Sequence, residues 1–404
     1  MSKIGFILPL YQKSKKYGGA TKFSILLAKK LQKEGHEVEI LVPWAEDFRT
    51  VYNPFFNEPS PEIETLEELK IKKFRLKWYK NIPNFLFRII FRYKKTYFKN
   101  NFFNKFVTFI GPHFIGIEEY IIKQNFDVIH LSCFPYYYMV EIPRNLKNRK
   151  FRGKIIATPF FHAEKRDWSN PIFQECFKLV DKIHCVTNFE EKVLRNNFKI
   201  NKNKLSTIPL FLESEEYHAR ESIENNIRKF KEKYKLRNKI IILCIYSDMP
   251  NTKGFQETKK VFENIKTQNK VLLVIGKDDF SKYSFQKNII NLGRPIGHDK
   301  NIVFASCDIF CMPSATESFG LVYLEAWNYK KPVIALDTPQ MREILSEGAL
   351  FSKPNDLTSL KKNLNKLISN QNLRIKLGNI GYKKLQDNFL LSKVFKDYIK
   401  LFNL

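Results

Sequence analysis

Two successive series of short apolar segments, separated by helix-like stretches, constrain the fold of this chain most strongly. In the first half, period and boundary residues predict strands at 4–9, 38–42, 127–131, 154–158, 181–186 and 205–209, with helices over 20–34 and 189–197. In the second half they predict strands at 240–246, 271–275, 289–292, 309–312 and 333–336, with helices over 255–266 and 320–329. Apolar strands that alternate with helices favour parallel sheets with both faces covered. The sequence therefore predicts an α/β protein with two doubly wound parallel sheets.

The change in pattern along the chain predicts where the two domains lie. At 404 residues the chain is long enough for two separate cores. We predict a first Rossmann-like domain over 1–212, with an insert of weaker regularity at about 44–125. A charged stretch at 213–235 separates the two patterned regions, and a second domain is predicted over 213–388. The segment 389–404 contains a last helix at 391–402.

Charge and cysteine usage narrow the class of protein. The chain has 69 Lys and Arg against 41 Asp and Glu, a net charge of +28, which favours anionic partners. The six cysteines are scattered, without a C-x-x-C pair or a histidine cluster, so we expect buried thiols of a reducing compartment. No apolar run reaches the roughly 18 residues that span a bilayer, and the N-terminus leads directly into a strand pattern. These features predict a cytoplasmic protein.

The segment 77–105 concentrates lysines and arginines among aromatic and apolar residues. Apolar rings on one side and basic side chains on the other are typical of an element at a membrane interface. This pattern predicts contact with an anionic membrane surface at the inner face of the membrane. An ordinary amphipathic helix packed on its own domain explains the same pattern. Both interpretations stay open.

The stretch ESFGLVYLE, from Glu317 to Glu325, is the most informative part of the chain for function. It lies between two predicted strands and contains a helix start, the setting in which open α/β sheets bind phosphorylated ligands. Eight residues advance a helix by roughly 12 Å and return to nearly the same face, so the two carboxylates can hold two ends of one elongated ligand. The amides of Phe319, Gly320 and Leu321 are free to face negative charge between them. Alternatively, the helix macrodipole favours Glu317, and Glu325 is a solvated helix residue.

This region closely resembles the retaining glycosyltransferases of family four, which have the GT-B fold. Their signature is an E-x7-E motif that follows Pro-Ser, contains Phe-Gly and precedes Pro-Val-Ile-Ala. The chain supplies each part, with Pro313, Ser314, Glu317, Phe319, Gly320, Glu325, Ala326 and residues 332–335. The resemblance implies two Rossmann-like domains that face each other across a cleft, with the last helix crossing back to the first domain. It also implies a nucleoside-diphosphate sugar as donor and places Ser318 to Leu321 at the donor site.

Lys253-Gly254 precedes the predicted helix at 255–266 and is similar to the family's Lys-Gly, whose lysine contacts the diphosphate. A lysine at a helix start is otherwise usually exposed. Relatives also have an arginine shortly before that lysine, whereas this chain has Cys-Ile-Tyr-Ser-Asp at 244–248. Losing a bidentate phosphate donor weakens stabilisation of the leaving group unless another residue replaces it. Arg294 is a candidate to replace the missing arginine, although its position is better suited to flank the nucleotide base.

Two further residues resemble the family's pattern in the first domain. Gly19 follows Gly18 at a helix start, where a glycine lets a ligand approach the backbone closely. His162 ends the run ATPFFH, at the place where the family often has a histidine that meets the transferred sugar; the alternative is an ordinary polar loop residue. His130, at the preceding strand end, is a weaker acceptor-side candidate.

The resemblance implies retention of configuration without a protein nucleophile, so we assign His162 and Glu317 to positioning and electrostatic support. No D-x-D pattern is present, and Asp278-Asp279 lacks other ligands, so we expect Lys253 and a helix dipole to replace a metal ion, with no cofactor.

The leading hypothesis is transfer of a sugar from a nucleoside diphosphate to an envelope glycan or a lipid-linked acceptor. The missing arginine motivates a second hypothesis, a catalytically weakened GT-B protein that acts as a binding subunit of another transferase. Nucleic-acid binding rests on charge alone, and since no recognition module is present we expect no nucleic-acid partner.

Overall fold

The computed structural model describes all residues except 12–17, 46–50, 52–61, 67, 78–110, 135, 162–170, 214–219, 247–252, 268 and 277–287. The chain forms two compact units. The first comprises Met1–Phe161, Lys165–Ile208 and Lys396–Leu404, and the second contains Pro209–Phe395. The sequence predicts slightly different bounds, with the second domain beginning at 213 and the last segment at 389.

The first unit is built on one sheet with eight strands among its described residues, in the order β3-β4-β2-β1-β5-β6-β7-β8. All neighbouring strands are parallel except the β3–β4 pair. The strands are β1 (Lys3–Ile7), β2 (Glu37–Pro43), β3 (Ile63–Leu66), β4 (Leu69–Phe74), β5 (Val128–Ser132), β6 (Lys154–Thr158), β7 (Lys182–Cys185) and β8 (Leu205–Thr207). The helices are α1 (Gly19–Lys33), α2 (Ile117–Lys123), α3 (Tyr138–Asn148), α4 (Pro171–Leu179) and α5 (Asn188–Phe198), followed by a 3-10 turn at Lys202–Lys204.

The hairpin β3–β4 corrects our prediction of weak regularity at 44–125. In the first part of β4 the buried residues Leu69 and Ile71 alternate with the half-buried Lys70 and Lys72. The ammonium of Lys72 lies over the rings of Phe74 and Tyr120 and pairs with Glu62 at 2.9 Å. Such lysines cover apolar surface while their charge reaches water, and this hides the strand from a search for apolar runs.

The second unit contains a parallel sheet with six strands among its described residues, in the order β11-β10-β9-β12-β13-β14. Its strands are β9 (Ile240–Ile245), β10 (Lys270–Ile275), β11 (Ile289–Asn291), β12 (Ile309–Met312), β13 (Val333–Leu336) and β14 (Ala349–Ser352). Its helices are α6 (Arg220–Lys233), α7 (Phe255–Glu263), α8 (Gly297–Ser306), α9 (Leu321–Asn328), α10 (Pro339–Leu345), α11 (Leu357–Ser369) and α12 (Gln371–Asn388), with a 3-10 turn at Ser346–Gly348. Helix α13 (Leu391–Phe402) contributes its last residues to the first unit.

The charged stretch at 213–235 is not a simple separator, because α6 forms within it and packs against α8 in the second unit. The two predicted parallel sheets are confirmed. Strand order reverses between β9 and β12, which makes the carboxyl ends of these two neighbouring strands the topological switch point of the second sheet. Ligand sites of open α/β sheets lie at such points, so a ligand site is expected at the loops after β9 and β12.

Buried contacts fix the position of helix α9, which follows β12. The indole of Trp327 is fully buried and donates from Nε1 to the carbonyl of Gly348 at 3.2 Å. A Cβ on Gly381 of α12 would lie 2.1 Å from that Nε1, so only glycine lets the indole rest on the helix backbone. The position of α9 is therefore set by close packing rather than by solvent-exposed contacts.

Candidate functional site

The loops at the switch point meet through a glycine. Gly254 is the N-cap of α7 and has a φ of +74°. A Cβ at this position would lie 2.3 Å from the carbonyl oxygen of Pro313, the first residue after β12. Glycine therefore satisfies two needs here, a left-handed backbone and direct contact with the neighbouring loop. That contact brings Lys253 next to the loop that contains Glu317.

Lys253 and Glu317 form an ion pair. The ammonium of Lys253 donates to Oε1 of Glu317 and, at 3.2 Å, to the carbonyl oxygen of Thr316. The two side chains are 21% and 11% exposed. Because the pair is partly buried but still accessible to solvent, a charged ligand can replace its contacts. The ammonium can bind a phosphate, and the carboxylate can accept a hydrogen bond from a hydroxyl. The structure thus joins two predicted site residues that lie 64 positions apart.

The N-terminus of α9 lies beside this pair. Gly320 is its N-cap with a φ of +80°, and no side chain caps the helix. A Cβ on Gly320 would lie 2.5 Å from the ring of Tyr323 and 3.8 Å from Oε2 of Glu317. The hydroxyl of Tyr323 donates to the carbonyl of Met312 at 2.7 Å, which fixes the ring under the helix start. The first amides of α9, from Leu321 onward, therefore begin close to the carboxylate of Glu317 with the positive end of the helix dipole.

The two other predicted residues of this loop have different surroundings. The ring of Phe319 is buried and packs edge-on against Phe389 at 5.8 Å between centroids, so this side chain anchors the loop. Ser318 is half-buried in the turn before Gly320. Of these two, only Ser318 has a partly accessible side chain.

Glu325 lies deeper in the second unit than Glu317. It is 4% exposed, and its Oε2 accepts from the ammonium of Lys300 on α8 at 2.7 Å. The alternative that Glu325 is a solvated helix residue is therefore wrong. A buried carboxylate needs a partner, because leaving it unpaired costs several kcal/mol.

Among the other residues singled out from the sequence, Gly19 and Arg294 lie in the part of the chain that the structure describes. Gly19 is the first residue of α1, whose N-cap Gly18 has extended backbone and makes no side-chain cap. His162 lies outside the described residues, as do Asp278 and Asp279. The structure describes only Lys77 of the basic segment 77–105. Arg294 follows β11 in the second unit, and its side chain is half-buried.

His130 belongs to a buried polar chain in the core of the first unit. Its Nε2 lies 2.7 Å from Oγ1 of Thr158, which lies 3.0 Å from Nδ1 of His184, whose Nε2 lies 2.7 Å from the carbonyl of Ile208. Since that carbonyl only accepts, the bonds run in one direction with both rings neutral. Burial lowers the pKa of His130 to about 3 and that of His184 to about 4. His130 is thus a core residue, with 1% of its surface exposed.

The sequence does not reveal two residues that contact predicted positions, or a third that contacts the residue before one. Lys300 pairs with Glu325, and Gln340 at the start of α10 donates to the carbonyl of Glu317 at 3.3 Å. In the first unit, the buried carboxylate of Glu190 accepts from the amide of Phe161 at 3.0 Å, and Phe161 immediately precedes His162. The only sequence signal for Glu190 was its place three residues after Thr187, a capping-box spacing.

Within the described part of the chain, no group of three or more His, Cys, Asp or Glu side chains is arranged to hold a metal ion. Among the described helices, none has the length and apolar character that crossing a bilayer requires. All six cysteines are free, and five of them are buried.

Comparison with known proteins gives matches over both halves of the chain. A family model described as glycosyl transferases group 1 matches residues 226–384, and one described as glycosyltransferase family 4 matches residues 17–216. A protein in the cps region of Klebsiella pneumoniae is 26% identical over 60% of this chain and 69% of its own length. The capsular polysaccharide biosynthesis glycosyltransferase CapM of Staphylococcus aureus is 24% identical, and the match covers 56% of this chain and 62% of that protein.

Solved structures share the fold over the whole chain. HepE of Anabaena, crystallised with UDP and glucose, superposes with a TM-score of 0.72 at 14% identity and covers 100% of both chains. The two parallel α/β sheets and this likeness show the GT-B fold that the motif implied. The two family models, which match the two halves in turn, assign the chain to the GT-B glycosyltransferases of the group 1 and family 4 type.

Proposed function

We propose that the protein is a retaining glycosyltransferase that uses a nucleoside-diphosphate sugar as donor. The observation that supports this best is the Lys253–Glu317 ion pair beside the N-terminus of α9, at the switch point of the second sheet. Such a site offers a fixed cation and free backbone amides to a diphosphate, and a carboxylate to sugar hydroxyls. The family assignment supports the same class of donor.

In this proposal Lys253 and the amides at Gly320 and Leu321 stabilise the charge that develops on the leaving diphosphate. The acceptor hydroxyl oxygen forms a bond to the anomeric carbon on the face from which the phosphate departs. The bond from that carbon to the phosphate oxygen breaks, and the leaving phosphate takes the acceptor's proton. Lysine and the helix dipole supply the positive charge that a divalent ion supplies elsewhere, so we propose a metal-independent transfer without a cofactor.

Glu317 orients the sugar, and donor binding must release its carboxylate from Lys253. We propose that Ser318 and Phe319 shape the same loop and that Gly254 keeps Lys253 in reach of it. For Glu325 we propose a donor-side role together with Lys300, because one carboxylate oxygen is already held by that ammonium.

We further propose that Gly19, in the first unit, lets the donor approach the backbone closely and that His162 meets the transferred sugar. The acceptor is proposed to be an envelope glycan or a lipid-linked glycan. This proposal is supported by the similarity to CapM, which is described as a capsular polysaccharide glycosyltransferase. Contact of the segment 77–105 with the inner face of an anionic membrane, in a cytoplasmic protein, stays a prediction from sequence.

The test is release of nucleoside diphosphate from a panel of nucleotide sugars, beginning with UDP-glucose, with lipid-linked and glycan acceptors. Lys253→Met and Glu317→Gln should each lower turnover by about 100-fold or more, since each removes a charge placed at the reacting group. Matched controls come from α7 itself, where the partly exposed side chains of Lys259 and Glu263 form an ordinary i,i+4 pair 3.4 Å apart. Lys259→Met and Glu263→Gln should keep wild-type turnover.

Absence of nucleotide release with every donor, together with absence of nucleotide binding, would refute the proposal. Binding without release would instead favour the binding-subunit hypothesis.

A further inference from the structure

Gln340 makes an unusual contact behind the loop that contains Glu317. It is the second residue of α10 and is 2% exposed. Its Nε2 donates to the carbonyl oxygen of Glu317 at 3.3 Å. Its own Oε1 is buried and has no hydrogen-bond partner among the described residues. The opposite amide orientation would place Oε1 against the carbonyl of Glu317, so the nitrogen must face the loop.

A glutamine at position 340 is unfavourable for the stability of the folded protein. A buried oxygen without a partner lowers stability, and the single bond that Gln340 makes is long. An apolar side chain of the same length would fill the same space and remove the unpaired oxygen. A residue that is unfavourable for stability but contacts a site residue is expected where function requires it.

The contacts around Glu317 indicate what that requirement is. Lys253 holds the loop through the carboxylate of Glu317 and the carbonyl of Thr316. Gln340 holds the main chain of Glu317 through a different atom, and neither partner in that bond is a charged group. Under the proposed function a donor diphosphate competes for Lys253, so the hold that Lys253 has on this loop weakens during binding. The hold by Gln340 does not depend on Lys253.

We propose that Gln340 is a positioning residue that keeps the backbone of Glu317 in place while the donor takes over Lys253. This inference rests on the proposed function and adds a residue that acts through Glu317 without touching the substrate. In this account Lys253 and α9 bind the diphosphate of the donor, whereas Glu317 orients its sugar. The two parts of the donor therefore respond differently to loss of Gln340.

The experiment is Gln340→Met, a near-isosteric change that removes both the donor and the unpaired oxygen. We expect kcat/KM for the nucleotide sugar to fall about tenfold, because a misplaced orienting group costs transition-state binding. We expect the dissociation constant of the free nucleoside diphosphate to stay within about twofold, because that ligand has no sugar for Glu317 to orient. The unfolding temperature should equal or exceed that of the wild type, since no unpaired oxygen remains buried.

Gln371→Met is the matched control, because Gln371 is an exposed glutamine at the start of another helix of the same unit. It should leave all three quantities unchanged. Wild-type kcat/KM in Gln340→Met would overturn the inference, and so would a loss that accompanies a lower unfolding temperature or weaker nucleoside diphosphate binding. If the wild-type protein itself turns over no nucleotide sugar, the proposed function fails first, which is a distinct result.

Discussion

Gly254→Ala tests whether the contact between α7 and the loop after β12 builds the site. Gly254 has a φ of +74°, and an added Cβ would lie 2.3 Å from the carbonyl oxygen of Pro313 and 2.6 Å from its carbon. Both atoms are backbone, so relief requires one loop to move by about 1 Å to reach ordinary contact. The left-handed conformation alone costs alanine about 1–2 kcal/mol, partly offset by the more restricted unfolded chain. Forced displacement adds about 1–3 kcal/mol.

Gly297→Ala provides the control for the backbone term. Gly297 also has a positive φ, +52°, at a helix start of the same unit, but no atom lies within 4 Å of an added Cβ. It should lose only about 1 kcal/mol. The two variants therefore differ by the displacement cost of about 1–3 kcal/mol. At about 2–4 °C per kcal/mol for a unit of this size, calorimetry should show Gly254→Ala melting about 2–12 °C below Gly297→Ala. Equal melting temperatures would refute the close contact between α7 and Pro313.

Two further predictions concern buried charge and titration. Lys300→Met should destabilise the second unit by about 2–4 kcal/mol in urea unfolding, since it leaves the buried Glu325 carboxylate without this ammonium; an effect below about 0.5 kcal/mol would contradict the buried pair. Burial lowers the pKa of His130 to about 3 and of His184 to about 4, whereas unfolded histidines take up a proton near pH 6.5. The contribution of these neutral rings to the free energy of unfolding is therefore complete above about pH 6.5. As the pH decreases from there to the folded pKa, each ring lowers the free energy of unfolding by up to about 1.4 kcal/mol per pH unit. His184→Gln should reduce that slope in urea titrations between pH 6 and 4.5, and an unchanged slope would show that the ring does not titrate as described.

The sequence was sufficient where local pattern decides structure. The strands at 154–158 and 309–312 and the helix at 391–402 have the predicted bounds, because each is a short apolar run or an amphipathic period with clear boundaries. The site at Lys253 and Glu317 was also accessible, since strand ends and glycines mark both loops. Parallel strands bring such loops together once their order in the sheet is known.

The sequence was insufficient where a side chain depends on a distant partner. The pairing of Glu325 with Lys300 follows from the packing of α8 near α9, which no local period reveals. Gln340 was missed because nothing in a Thr-Pro-Gln helix start indicates which carbonyl lies opposite the amide. Strand β4 was missed because its lysines interrupt the apolar run.

The central claim is that Lys253, beside Glu317 and the N-terminus of α9, binds the diphosphate of a sugar donor. Titration calorimetry of nucleoside diphosphates against the wild type, Lys253→Met and Lys259→Met tests it most directly. A charge-assisted bond to phosphate contributes about 1.5–3 kcal/mol, so Lys253→Met should weaken binding by about tenfold or more, while Lys259→Met binds as the wild type does. Equal affinity in all three proteins would contradict the claim.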